Sequence, residues 1–282
     1  MVGHMKVRRA LPRRGRRTVG AWCFADHMGP AEVTEGSGLD IGPHPHIGLQ
    51  TVTWLIDGQV LHRDSLGSEQ VIRPGQLNLM TAGHGVAHSE EATGHYRGKL
   101  QGIQLWIAQP EGTRHGAAAF EHHVDLPQIA TPGADVTVLV GSFTADATSP
   151  ARHDTALVGV DVVFHGGASN LPLRNDFEYA LVVLAGGLTV DQRNVTPGHL
   201  AYLGRGRDEL GLHAEGATRA LLIGGEPFDE PLVMWWNFVA RSRDEMAKAY
   251  DDWQNETSRF SYFPSPIVRI LAPSPYWLRA GS

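Results

Sequence analysis

Apolar and polar residues alternate in short runs over residues 50–107, and each run ends at a turn. The first run, LQTVTWLI, leads into Asp57-Gly58, which is a strong hairpin signal. The runs QVLHRDS, QLNLMTAG and LQGIQLWIA follow, with the turn Pro74-Gly75 among them. Strands and turns at regular spacing, without helical patterns between them, predict an antiparallel sandwich or barrel.

The same rhythm returns in the second half of the chain. FEYALVVLAGGLTVD repeats the strand, glycine turn and strand of LQTVTWLIDGQVLHRD, and VTPGHLAYLGRG parallels IRPGQLNLMTAG. Two copies of one β-unit are the economical account of this repeat. We therefore predict an N-terminal domain over residues 1–135 and a C-terminal domain over residues 136–282.

The pattern changes to a helical one within residues 232–258. Phe238, Met246, Tyr250 and Trp253 recur with partial helical spacing, and charged residues fill the opposite side. This spacing predicts an amphipathic helix over about 241–255 that packs on one of the sheets. The segment that follows, FPSPIVRILAPSPYW, is rich in proline and predicts an irregular tail.

Composition excludes several classes of function. The chain has 282 residues, 42% of them hydrophobic, and a formal net charge of -6. An acidic balance argues against direct nucleic-acid binding by the whole protein, because phosphate contacts need a basic surface. The N-terminus lacks the apolar run of a secretory signal, and no stretch of about 18 apolar residues occurs. We therefore predict a cytoplasmic location without a membrane partner.

Two local features bear on partners and compartment. Residues 6–17 are rich in arginine and contain no acid, so they either pair with carboxylates elsewhere in the chain or bind a partner or nucleic acid. Cys23 is the single cysteine, which rules out an intramolecular disulfide and suits a reducing compartment. Between Trp22 and Phe24 it is predicted to be a small buried apolar side chain.

Two pairs of polar residues share a spacing of two. His44 and His46 project from the same side of a strand, and so do His88 and Glu90. One such pair arises easily by chance among 15 histidines, but two pairs within a strand-and-turn pattern predict a metal site. Three imidazoles and one carboxylate converging from facing strands suit iron, nickel, copper, manganese or zinc. Coordination positions left to water would make the site catalytic in type.

Five stretches carry a family resemblance over nearly the whole chain. They are FADHMGP (24–30), PHPHIGLQTVTWLIDG (43–58), HRDSLG (62–67), PGQLNLMTAGHGVAHSE (74–90) and NFVARSRDEMAKAYDDWQNE (237–256). In these stretches the chain resembles the pirin family of the cupin superfamily. The resemblance implies an all-β fold of two cupin-type β-barrels, a bicupin, with a C-terminal helix and a Pro-rich tail.

The resemblance also implies a metal ion in the N-terminal barrel. Matched residue by residue, its ligands are His44, His46, His88 and Glu90. Iron(II) is the expected ion, and nickel, copper, manganese, cobalt and zinc are alternatives because their ligand preferences overlap. The resemblance favours a monomer.

Two functions follow from the resemblance. The first is a quercetin 2,3-dioxygenase-like enzyme, an oxidoreductase that cleaves a flavonol or related phenolic with O2, in which Glu90 takes the substrate's hydroxyl proton as general base. The alternative is a non-enzymatic, iron-binding, redox-sensing regulator that acts through a protein partner. In that case the change between ferrous and ferric iron would alter the docking surface.

Neighbouring positions differ from the family pattern or extend the site. Ile47 stands where pirins commonly have arginine and Gln50 where they have glutamate, which would lower the negative charge near the metal. We expect His62 and Asp64 to support the ligands rather than bind metal, and His84 to line the entrance. Several apolar side chains could form the walls of a pocket for a flat substrate, but only the strand register would show which of them point inward. They are Met28, Ile47, Trp54, Leu79 and Met80.

The second repeat lacks most of these ligands. Counted from the strand-end glycine, Pro172 and Arg174 take the places of the paired histidines. His213 and Glu215 echo the later pair. Half a ligand set holds an ion poorly, so we predict a metal-free C-terminal barrel that is a structural remnant or an interaction surface.

Overall fold

The fold of the chain was obtained as a computed structural model that describes residues 5–34 and 38–277. Over these ranges nearly all of the regular secondary structure is β-strand, with an α-helix near the C-terminus, as predicted, and a short 3-10 helix at Ser258–Phe260. The strands, in chain order, are β1 (Val7–Leu11), β2 (Trp22–Val33), β3 (Ile41–His46), β4 (Leu49–Asp57), β5 (Val60–Asp64), β6 (Glu69–Ile72), β7 (Leu77–Thr81), β8 (Val86–Glu91), β9 (Gly98–Ala108), β10 (Ala119–His123), β11 (Gln128–Thr131), β12 (Ala134–Thr144), β13 (Ala147–Thr148), β14 (Leu157–Phe164), β15 (Gly167–Pro172), β16 (Glu178–Ala185), β17 (Leu188–Val190), β18 (Arg193–Val195), β19 (Leu200–Gly204), β20 (Glu209–Ala214), β21 (Thr218–Gly225), β22 (Val233–Trp235) and β23 (Phe238–Ala240).

The strands belong to two compact units. Among the described residues, the first unit comprises residues 5–7, 28–34, 38–122 and 229–277, and the second comprises residues 8–27 and 123–228. The domain boundary after residue 135 stays a prediction for the end of the first barrel's sequence and the start of the second. The C-terminal helix and tail, which that prediction grouped with the second barrel, instead belong to the first unit because they pack against it.

In the first unit, two antiparallel sheets enclose the interior of a barrel. One sheet runs β2-β9-β4-β7-β10 and the other runs β3-β8-β5-β6. The sheets face each other, since the His46 ring lies 5.1 Å from the Trp106 ring of β9 and the His62 ring stacks on Phe120 at 4.4 Å. Alternation along β4 points odd-numbered residues such as Thr53 into the barrel and even-numbered residues such as Val52 out of it.

The second unit repeats this arrangement around an apolar interior. Its sheets run β11-β12-β14-β21-β16-β19 and β15-β20-β17-β18. The predicted repeat extends to its turns, because Gly75 and Gly198 follow corresponding prolines and both have positive φ, at 81° and 82°. Glycine reaches that backbone region without steric cost, which explains its place in both turns. The interior is filled by a cluster that includes Val160, Phe164 and Leu181.

The helix α1 spans Arg243–Gln254, within two residues of the predicted limits. Ser242 caps it by accepting a hydrogen bond from the Glu245 amide at 3.2 Å. Its buried face contributes to an apolar cluster that also contains Ile47, Phe238 and Ala87 of β8. The helix therefore covers the outer side of the sheet that carries β3 and β8. No helix among the described residues is long and apolar enough to cross a bilayer.

The arginine-rich segment makes internal ion pairs. Arg9 donates two hydrogen bonds to Asp26, at 2.9 and 2.8 Å. The guanidinium of Arg16 lies 3.6 Å from the centre of the Tyr202 ring. These contacts support the interpretation that the arginines pair within the chain. Cys23 is buried, as predicted.

Candidate metal centre

The two predicted pairs of polar residues lie on neighbouring strands. Strands β3 and β8 pair antiparallel, with His44 directly opposite His88 and a register irregularity between Ile41 and His44. They are hydrogen-bonded neighbours in one sheet rather than strands facing each other across the barrel. Because side chains alternate, His44, His46, His88 and Glu90 all project from the same face.

Three imidazoles converge at this face. One ring nitrogen from each of His44, His46 and His88 lies within 4.8 Å of the other two, and all three residues are buried. The Nε2 atoms of His46 and His88 are 3.1 Å apart. Two nitrogens bonded at about 2.1 Å to one ion, nearly at right angles, would be separated by about 3 Å. The spacing of this pair therefore fits a shared divalent cation.

Backbone carbonyls fix the orientation of two of the rings. The Nδ1 atom of His44 lies 2.9 Å from the carbonyl oxygen of Gly42, and Nδ1 of His46 lies 2.9 Å from that of Asn237. A carbonyl oxygen only accepts, so each Nδ1 carries the proton and donates. The Nε2 atom of each ring is left with its lone pair, the form in which imidazole binds metals.

The third ring is held by side chains instead. Nδ1 of His88 lies 3.4 Å from Nδ1 of His62, and Nε2 of His62 lies 3.1 Å from Oδ2 of Asp64. The expectation that His62 and Asp64 support a ligand agrees with these contacts. Burial alone would raise the pKa of Asp64, but hydrogen bonds from His62 and Ser68 bring the pKa below its ordinary value.

Electrostatics keep the cluster in its neutral form. Burial lowers the pKa of His44 to about 4, against an opposing effect of its bond to Gly42. Burial, together with the neighbouring imidazoles, holds the pKa values of His46 and His88 well below the ordinary value of 6.5. At neutral pH the three rings are uncharged and can each offer a lone pair, so the residues present fit a bound metal.

Glu90 is a buried carboxyl group on the same face. Burial raises its pKa to about 7, and a hydrogen bond from the Thr53 hydroxyl opposes this shift. The Thr53 oxygen lies 3.5 Å from Oε1 of Glu90. A carboxyl group with such a pKa can both accept and return a proton near neutrality.

A polar row on the opposite sheet was missed by the sequence analysis. Thr53 of β4 is paired with Asn78 of β7 on one side and Gln104 of β9 on the other. The Thr53 hydroxyl oxygen lies 2.9 Å from Oε1 of Gln104 and 3.5 Å from Oε1 of Glu90, and its single proton is donated to one of them at a time. The signal was present in LQTVTWLI, where threonines occupy alternate positions of a largely apolar strand. The row gives the barrel interior hydrogen-bonding groups opposite the histidines.

Register also sorts the apolar side chains that were available as pocket walls. Met80 and Trp106 are both partners of Thr51 and share its inward face. Trp54 and Leu79 project from the other face. Ile47 packs in the apolar cluster beneath α1, and Met28 packs with Leu55 and Val60.

The side-chain positions correct the expectation for Gln50 and locate His84. Gln50 faces away from the barrel interior and donates to Thr81 Oγ1 at 3.0 Å. The presence of glutamine in place of the family's glutamate therefore does not change the charge on the face that bears the histidines. His84 is exposed, lining a cavity of about 160 Å³ with His115 and Arg259. It is not among the three clustered imidazoles.

The corresponding strands of the second unit present different residues. Strand β15 pairs with β20 as β3 pairs with β8, and Pro172 lies opposite Glu209. In β20 the residues that face the core are Leu210, Leu212 and Ala214, so His213 projects outward. The echo of the histidine-glutamate pair is therefore on the face opposite to that of His88 in β8.

Sequence and structure comparisons define the class of protein. The Pirin family model matches residues 4–107, and the model of the Pirin C-terminal cupin domain matches residues 160–260. The chain therefore belongs to the pirin family and has the bicupin fold of that family.

Three relatives give the degree of similarity. A Pseudomonas aeruginosa protein named "Putative quercetin 2,3-dioxygenase PA1205" is 51% identical over 98% of this chain and 87% of its own length. A pirin-like protein of Caulobacter vibrioides is 36% identical over 90% and 89%. The crystal structure of a quercetin 2,3-dioxygenase from Acinetobacter baumannii has 45% identity and a TM-score of 0.92, covering 95% of this chain and 90% of the other.

Proposed function

We propose that this chain is a metal-dependent dioxygenase that cleaves a flavonol of the quercetin type or a related phenolic. The observation that carries the proposal is the convergence of three neutral imidazole nitrogens within 4.8 Å, on the face that also bears Glu90. The two relatives named for quercetin 2,3-dioxygenase support the substrate class. No described feature favours the redox-regulator alternative, and we do not carry it forward.

The proposed ligands are His44, His46, His88 and Glu90, with iron(II) as the expected ion. Bound there, the metal would supply Lewis acidity toward the adjacent hydroxyl and keto oxygens of a flavonol. The protein contributes rings whose orientation is fixed before the metal arrives, which lowers the entropic cost of binding.

Glu90 is proposed as the general base. When its bond to the metal loosens, its carboxylate would take the proton of the substrate hydroxyl. Thr53 and Gln104 offer hydrogen-bonding groups to the remaining phenolic hydroxyls, while Met80 and Trp106 form apolar walls. The interior of the first barrel thus combines groups that bind a polar, flat aromatic molecule with a base that activates it.

The experiment measures oxygen uptake by iron-loaded protein supplied with quercetin. We expect oxygen consumption, loss of the long-wavelength absorbance of the flavonol, and release of carbon monoxide in amounts equal to the substrate consumed. The variant His46→Ala should lose the activity. The variant His213→Ala, which changes an outward-facing histidine of the second barrel, is the matched control and should retain it. Oxygen uptake no greater than that of free iron would reject the proposal.

A further inference from the structure

We propose that Asp64 and His62 are positioning residues that fix which ring nitrogen of His88 is free to bind the metal. The inference rests on the metal centre of the proposed function and deepens it. It assigns a role to two residues that bind neither metal nor substrate.

A series of hydrogen bonds runs from Asp64 through His62 to His88. Both carboxylate oxygens of Asp64 accept hydrogen bonds in it or from the backbone. Its Oδ1 atom accepts hydrogen bonds from the amides of Leu66 and Ser68, both at 2.9 Å. The residue is 1% exposed. Its orientation is therefore set by backbone, and Oδ2 faces the His62 ring at 3.1 Å as an acceptor.

The bond to Asp64 decides which nitrogen of His62 carries the proton, and this in turn affects His88. Its Nε2 carries the proton because it donates to Asp64, which leaves Nδ1 with a lone pair in the neutral ring. The ring plane is held by stacking on Phe120, with an interplanar angle of 14°. His62 therefore presents an acceptor, and not a donor, toward Nδ1 of His88.

His62 therefore favours the tautomer of His88 that is protonated at Nδ1. Its Nδ1 donates to Nδ1 of His62, so its Nε2 keeps the lone pair, and this is the atom that lies 3.1 Å from Nε2 of His46. His44 and His46 receive the same assignment from backbone carbonyls. His88 depends for it on two side chains, which makes this part of the centre open to test by substitution.

The substitution Asp64→Asn should reverse the donor and acceptor roles of the hydrogen bonds from residue 64 to His62 and His88, with little change in side-chain shape. An asparagine that keeps its oxygen toward Leu66 and Ser68 retains two hydrogen bonds and turns its NH2 group toward His62. Nε2 of His62 must then accept, and its Nδ1 carries the proton. Nδ1 of His88 becomes the acceptor and its Nε2 is protonated, which blocks the metal. A comparable change of an orienting aspartate in the serine-protease triad acts through the wrong tautomer.

The experiment combines nitrogen-15 NMR of the histidine rings with metal binding by equilibrium dialysis against iron(II). In metal-free wild-type protein we expect His88 to be protonated at Nδ1, and in Asp64→Asn at Nε2. We expect Asp64→Asn to bind iron(II) about tenfold to a hundredfold more weakly. His62→Phe, which keeps the stacking but removes the acceptor, should also weaken binding.

The matched control is Asp161→Asn, which removes another buried carboxylate. Asp161 pairs with Arg219 at 2.9 Å in the second unit, so the variant should lose stability but keep wild-type iron affinity. Protonation of His88 at Nε2 in the wild type, or wild-type affinity in Asp64→Asn, would overturn the inference. The NMR assignment on wild-type protein decides the matter even where a variant does not fold. If the iron-binding and NMR results are as expected but the protein does not turn over quercetin, only the proposed function is rejected.

Discussion

The Nε2 atoms of His46 and His88 face each other at 3.1 Å. The proton of His46 is committed to the Asn237 carbonyl, and in the proposed tautomer that of His88 is committed to His62, so each Nε2 atom has a lone pair. Two lone pairs at this distance repel, and a cation placed between them turns the repulsion into two bonds. The folded chain therefore holds this pair of rings in an arrangement that a metal ion stabilises.

Metal binding should accordingly raise the stability of the fold. An ion that binds only the folded state adds about 2.7 kcal/mol to the free energy of unfolding at a hundredfold excess over its Kd. Chemical denaturation of wild-type protein with and without iron(II) measures the difference. His46→Ala should show no gain, and an equal gain in that variant would place the ion elsewhere.

The substitution Glu90→Gln should stabilise the metal-free protein at alkaline pH. The folded-state pKa of Glu90 is raised from 4.5 to about 7, so its charged form is disfavoured by folding above that pH. The cost is about 3 kcal/mol above pH 7 and disappears below the unfolded pKa, where the group is neutral in both states. Denaturation at pH 8.5 and pH 4 compares the two proteins. A variant less stable than wild type at pH 8.5 would contradict the raised pKa.

Metal affinity should depend on pH through the same carboxyl group. Glu90 must lose its proton to serve as a ligand, so the apparent affinity should fall by up to about tenfold per pH unit below pH 7. The ring of His44, with a pKa near 4, does not compete in this range. Dialysis at pH 6, 7 and 8 tests this. Glu90→Gln should bind more weakly with a flat profile between pH 6 and pH 8, whereas parallel profiles would exclude Glu90 as a ligand.

The sequence alone was sufficient for the features that depend on local periodicity. A spacing of two places His44 with His46 and His88 with Glu90, because strand geometry allows no other face. The helix and the repeated hairpins follow for the same reason. The Pro-Gly turns in both halves of the chain indicate two copies of one β-unit, independently of the strand pattern.

What the sequence could not reveal depends on contacts between distant segments. The acceptor for His46 is the carbonyl of Asn237, 191 residues away along the chain. A backbone oxygen has no residue type by which to recognise it. The inward or outward orientation of Gln50 likewise required the register with Thr81, since alternation gives two faces without saying which one meets the histidines.

The connection that follows His46 should be a sensitive backbone position near the centre. Gly48 has a φ of 65°, and a β-carbon there would lie 2.3 Å from the carbonyl oxygen of Val239. Gly75 has a φ of 81° with no atom within 4 Å of such a β-carbon, which makes Gly75→Ala the matched control. Both variants carry the left-handed backbone cost of about 1–2 kcal/mol. Only Gly48→Ala adds a clash with backbone.

We therefore expect Gly48→Ala to lower the free energy of unfolding by about 2 kcal/mol more than Gly75→Ala does. It should also weaken iron(II) binding, because the displaced Val239 lies two residues from Asn237, which orients His46. Denaturation and dialysis on the two variants measure both effects. Equal losses of stability would show that β23 yields without cost. Wild-type iron affinity in Gly48→Ala would show that the Asn237 carbonyl does not govern the orientation of His46.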